Sequence, residues 1–166
     1  MKTKSGGSTE ATEATGSASS DVSKKKGVKK KNELTEVTVF RKDIDLGADD
    51  KYGHWWTNIT PNESYGWWPK DGVGLTDTLL GTEGELNGVT NFGGSATQDP
   101  HHGDTSGDEY RVISNSGKSE ADIQQEMRNF ATSYSGEWRW TFGYGQNCHT
   151  FQDEMLEKSN LTIEKK

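Results

Sequence analysis

The chain has 166 residues, and a hydrophobic content of 28% leaves room for only a small core. No stretch approaches the roughly 20 consecutive apolar residues that a helix needs to cross a bilayer, which excludes a membrane-spanning helix. The net charge of −7 is unevenly divided: residues 1–31 hold eight lysines against three acids, a balance of +5, and residues 32–166 hold 11 basic and 23 acidic side chains, a balance of −12.

Residues 1–33 are mostly Ser, Gly, Thr, Ala and Lys, and beyond Met1 the only large apolar side chains among them are Val22 and Val28. Such a segment buries too little surface to offset chain entropy and is read as a disordered linker ahead of a domain spanning 34–166. Its lysine cluster, Lys24 to Lys31, suits a solvated linker better than a nucleic-acid contact, and the acidic remainder speaks against a nucleic-acid surface. The first twenty residues hold no apolar run, so no secretory signal peptide is expected there.

All six tryptophans lie between Trp55 and Trp140, and their large rings compensate for the scarcity of aliphatic side chains. "LTEVTVFRK" alternates as a strand does, with Val37 and Val39 on one face. "HWWTNI" and "SYGWW", joined by the turn-rich "TPNE", read as a hairpin. Residues 70–107 are rich in Gly, Asp, Thr and Asn and read as a long mobile loop able to cover a site. "EYRVIS" reads as a strand. Ser119 then opens a helix through "EADIQQEMRNFATSY", in which Ile123, Met127, Phe130 and Tyr134 recur at helical spacing and Asp122 completes a capping-box-like start. "EWRWTF" reads as a further strand, and "GYGQN" as a turn into a last helix, "CHTFQDEMLEK". The expected fold is α+β, an antiparallel sheet with helices packed against it.

Cys148, the one cysteine, rules out an internal disulfide and a four-cysteine zinc site. It falls in the predicted first turn of the last helix, where backbone N–H groups and the helix dipole favour a thiolate and can receive an oxyanion. A cysteine nucleophile needs a histidine to take and return a proton. His149 is adjacent on the same helix, and i,i+1 side chains diverge. His101 and His102 lie in the long loop, whereas His54 opens an aromatic strand and is rigidly held. "DPHHGD" also invites a metal reading through His101, His102 and Asp104, but neighbouring histidines on an extended segment point apart and no further ligand is in register, so a turn-rich loop is expected and neither metal nor cofactor is assigned.

"YGHWWTNI", followed by a second strand and later by "NCHTFQDEML", resembles the circularly permuted branch of the NlpC-type papain-like superfamily, which includes the lecithin retinol acyltransferase-like enzymes. His54 and Trp55 match that branch's histidine-tryptophan pair, and Asn147 and Cys148 its asparagine-cysteine pair. His149, Thr150 and Phe151 stand where the family usually has an acidic residue, histidine and phenylalanine. The resemblance implies a permuted papain-like fold with the nucleophile at a helix N-terminus, and a cysteine hydrolase or acyltransferase working through a thioester. It also implies a polar residue after the histidine strand that orients His54, for which Glu63 is the first candidate and Ser64 the second.

Gln146 is a candidate oxyanion donor or a turn residue, and Asn147 a candidate support for the site or a helix cap. Trp55, Trp67 and Trp68 are candidate substrate contacts, although tryptophans on paired strands also build cores. The wider pattern resembles C-terminal toxin domains of bacterial type VI secretion and Rhs-type polymorphic effectors. Those domains are made in the cytoplasm, delivered into a target cell and opposed by an immunity protein. The resemblance ranks deacylation of membrane phospholipids first, cleavage of peptidoglycan peptides second, and a non-catalytic glycan-binding module third.

Overall fold

The computed structural model describes residues 31–43, 53–71, 74–141 and 145–166. The linker expected over 1–33 lies outside the described residues except at its end, where the first strand already begins at Asn32. Among the described residues the architecture is α+β, with two antiparallel sheets and three helices.

The larger sheet is built from β1 (Asn32–Asp43), β2 (Gly53–Thr60), β3 (Glu63–Tyr65), β6 (Asp108–Ser114) and β8 (Leu161–Lys165), in the order β3-β2-β1-β6-β8. Strand alternation sorts its side chains onto two faces. On one, Val39, Thr57, Ile59 and Val112 meet the helices α2 (Glu120–Ser133) and α3 (Cys148–Lys158); Ile123, Met127, Phe151 and Met155 fill the space between, all fully buried. Burying each of these larger apolar side chains contributes about 1.5–3 kcal/mol. A buried polar bond ties the layers, for the Thr57 hydroxyl donates to Gln152 Oε1, and Gln152 Nε2 donates to the Tyr65 carbonyl at 3.0 Å. On the other face Phe40 stacks on Trp56 at 5.2 Å, and Trp56 on His54 at 5.9 Å. This second face carries His54.

β1 slips register against β6 between Glu33 and Thr38. The amides freed there do not go unpaired: Glu120, the first residue of α2, accepts from Thr35 N at 2.9 Å and Glu36 N at 2.8 Å. A helix-borne carboxylate thus substitutes for a neighbouring strand.

Helices α2 and α3 follow their predicted signals. Ser119 caps α2, accepting from Asp122 N at 3.2 Å, and Asn147 caps α3. Three expectations need correction. "SYGWW" is not one strand: the chain leaves the large sheet after Tyr65, and β4 (Trp67–Pro69) pairs with β5 (Thr82–Leu86) in a second sheet ordered β4-β5-β7. "EWRWTF" pairs only over β7 (Glu137–Trp138), because Arg139 N turns to Gln146 O and Trp140 N to Thr78 O. The stretch 70–107 is not a loose cover. It contains α1 (Leu75–Leu80), β5 and the fully buried Asn87, and its Asp99 is only 2% exposed. Polar bonds hold much of it in place, with Phe92 against Trp68 and Leu86 against the core as scattered apolar contacts that leave no periodic pattern.

Candidate active site

β2 places His54 on the face opposite the helices, 2% exposed, with Trp68 tilted over it at 4.0 Å between ring centroids. Its Nε2 lies 2.9 Å from Oδ2 of Asp99, a carboxylate 45 residues away in sequence. Asp99 is satisfied on all sides. Trp68 Nε1 donates to Oδ2 at 2.7 Å and His101 N to Oδ1 at 2.9 Å, while the Asp99 amide donates to Ser64 Oγ at 2.9 Å. Burial alone would raise the Asp99 pKa; the charge of His54 and then these donors outweigh it and hold the carboxyl below its ordinary range.

Cys148 opens α3, and its thiol donates to the Gly53 carbonyl at 3.7 Å, one residue before His54 on β2. With Nε2 taken by Asp99, Nδ1 is the nitrogen left to face Cys148. Burial alone would lower the His54 pKa; the Asp99 carboxylate and its hydrogen bond, followed by Cys148, more than compensate and raise it to about 9. His54 is therefore an imidazolium at neutral pH.

At the start of α3, Asn147 takes up the amides that follow Cys148. Asn147 Oδ1 accepts from His149 N at 3.0 Å and Thr150 N at 3.2 Å, and the Asn147 carbonyl accepts from Phe151 N. Among the described residues nothing accepts from the amide of Cys148. The helix dipole and this N–H point at the space in front of the thiol, where an oxyanion can be received.

His54 and Cys148, inferred from sequence, are brought together. The orienting residue is a correction. Glu63 is turned the other way, its carboxylate accepting from Arg128 Nε and Nη2, both at 2.6 Å, and from the Tyr65 hydroxyl. The Arg128 hydrogen bond holds Glu63 below the usual carboxylate range. Ser64 is fully buried and acts one step out, on the Asp99 amide, with His102 Nδ1 at 2.9 Å from its other side. Trp67 is not a substrate contact either: 2% exposed, it packs edge-on to Tyr134 and stacks on Phe151. Trp68 is 8% exposed and committed to Asp99. Only Trp55 keeps an open edge, stacked between Tyr110 at 5.3 Å and His149 at 5.2 Å.

Gln146 commits its Nε2 to the Ser135 carbonyl at 2.9 Å, so it braces the turn rather than donating to an oxyanion. His149 is exposed, paired at 3.4 Å with Asp153 and directed away from the thiol, as adjacent helix positions require. His101 packs on Trp56, Trp68 and His54 with Nδ1 3.6 Å from Asp104, whose carboxylate also meets Lys42 and Ser106. Among the described residues no group of three or more His, Cys, Asp or Glu is disposed to hold a metal ion.

Asp99 is the functional residue that sequence reasoning missed. The available signal was its place ahead of Pro100 at the head of a turn, where Asp bonds the backbone two residues on, but nothing in one sequence ties that turn to β2. No family model matches this chain, and no curated protein or solved structure matches it either.

Proposed function

We propose that the protein is a cysteine hydrolase or acyltransferase of permuted papain-like type, with Cys148 as nucleophile, His54 as acid and base, and Asp99 as the group that orients and charges His54. The observation that carries this reading is the thiol of Cys148 against an imidazole whose far nitrogen is held by a buried carboxylate at 2.9 Å. An imidazolium at His54 supplies the counter-charge for a thiolate. The Cys148 sulfur attacks a substrate carbonyl carbon, the C–S bond forms, and the carbonyl electron pair moves to oxygen, facing the Cys148 amide. His54 Nδ1–H gives its proton to the leaving oxygen or nitrogen as the C–O or C–N bond breaks, leaving a thioester. Water then attacks the thioester, His54 takes the water proton, and the thiolate departs.

The substrate class favoured is a membrane phospholipid, and the setting that of an antibacterial effector delivered by a secretion system and neutralised in the producing cell by an immunity protein. Support for both comes from the sequence resemblance. Trp55, partly exposed and stacked on His149, the residue after Cys148, is the candidate aromatic left to meet an acyl chain.

Phospholipid extract and purified peptidoglycan, each incubated with the protein and analysed by mass spectrometry, test the reading. Free fatty acid and lysolipid, absent with Cys148→Ala, are the expected products. Peptide fragments instead would make the enzyme a peptidoglycan amidase. No product from either would leave a binding module.

A further inference from the structure

We infer that Asn87 is a positioning residue for the Asp99–His54 pair, acting through Gly66, whose missing side chain leaves the space that the Asp99 carboxylate occupies. The inference rests on the reading that Asp99 serves His54 in catalysis, and it adds a residue that touches neither of them.

Gly66 links β3 to β4, where the chain crosses from the large sheet to the small one. A Cβ built there would lie 2.2 Å from Asp99 Oδ2 and 3.0 Å from His54 Nε2, the two atoms that make the pair. Any side chain would displace the carboxylate, so the backbone itself forms the wall behind the contact. That wall must also be fixed in place. Asn87 does so from both sides of the peptide: its Oδ1 accepts from Gly66 N at 3.0 Å, and its own amide donates to the Gly66 carbonyl at 2.8 Å. Its Nδ2 donates to the Ser64 carbonyl at 3.2 Å and the Ser95 carbonyl at 3.0 Å. Ser64 is the residue whose hydroxyl holds the Asp99 amide. One side chain thus locks the two residues that flank Asp99.

The residue type follows from these demands. Asn87 sits at φ 59°, in the left-handed region that Asn tolerates and most residues do not. It is fully buried, so each of its donors and acceptors must be met. The position needs an acceptor and two donors on a short stem with a left-handed backbone, and asparagine meets all of these conditions.

The test is the imidazole titration of His54 in the full chain, followed by NMR and assigned by the resonance that His54→Ala removes. In the wild-type protein the midpoint should lie near pH 9. Asn87→Gly keeps the left-handed backbone and deletes the side-chain bonds; its midpoint should drop by about one pH unit or more as the pair loosens and burial prevails. Gly66→Ala should bring the midpoint below that of a free histidine. A folded Asn87→Gly protein that titrates like wild type would overturn the inference. If Gly66→Ala does not fold, Asn87→Gly decides alone; if neither folds, the role is structural and the inference fails. Because the midpoint is read without substrate, a shift combined with no hydrolysis of lipid or peptidoglycan would refute the catalytic reading and leave the alignment standing.

Discussion

Glu63 and Asp99 are both carboxylates near β2, and their neighbours assign them different work. Glu63 meets a guanidinium and a phenol at the edge of α2, so Glu63→Gln should cost about 1 kcal/mol of stability in urea unfolding and leave turnover unchanged. Asp99 meets an imidazole, and Asp99→Asn should lower turnover on the order of 10²-fold. It should also move the alkaline limb of the rate profile from near pH 9 to lower pH. A histidine whose folded pKa is raised contributes stability that is complete below its unfolded value and is lost as pH rises through the folded one. The stability advantage of wild type over Asp99→Asn should therefore shrink between about pH 6.5 and 9, and grow back on acidification to pH 6.5. A difference constant across that window would contradict the pairing. The placement of His54 at the start of a strand and of Cys148 at the start of a helix was legible in sequence. Asp99 was not, since its role depends on a chain reversal fixed by Asn87 and Ser64, and hydrogen-bond geometry leaves no periodic trace.

At the scale of elements, the strongly patterned segments were readable: β1, β2, β6 and α2 each bury a face at strand or helical spacing, and α3 announces itself by its Asn147 cap. β8 was overlooked because Leu161 and Ile163 offer only two apolar positions, and its pairing with β6 supplies the rest. Residues 70–107 were misread because glycines and polar side chains suggest looseness, whereas here Asn87 and Asp99 use backbone carbonyls and amides as a core uses methyl groups. Replacing residues 76–98 with a short Gly-Ser connector should thus collapse thermal stability, through loss of β5 and Asn87, rather than merely alter substrate access. An unchanged melting temperature would show that the segment is a separable cover.

For the whole molecule, a small aliphatic supply is offset by stacked rings on both faces of one sheet. Trp67, Tyr134 and Phe151 lie on the helix side, and Phe40, Trp56 and Trp68 on the side of His54. Residues 1–30 have the composition of a linker, and β1 begins at Asn32. Their removal should leave turnover on a soluble ester or amide unchanged; a loss would show that the lysine-rich lead takes part in the site.

The central claim is that His54, charged by Asp99, activates Cys148, and alkylation kinetics test it without knowledge of the substrate. The rate of iodoacetamide modification of Cys148 at neutral pH reports how far His54 activates the thiol. The account predicts a rate at neutral pH that is lower by about tenfold or more in folded His54→Ala than in wild type. Equal rates in the two proteins would contradict it.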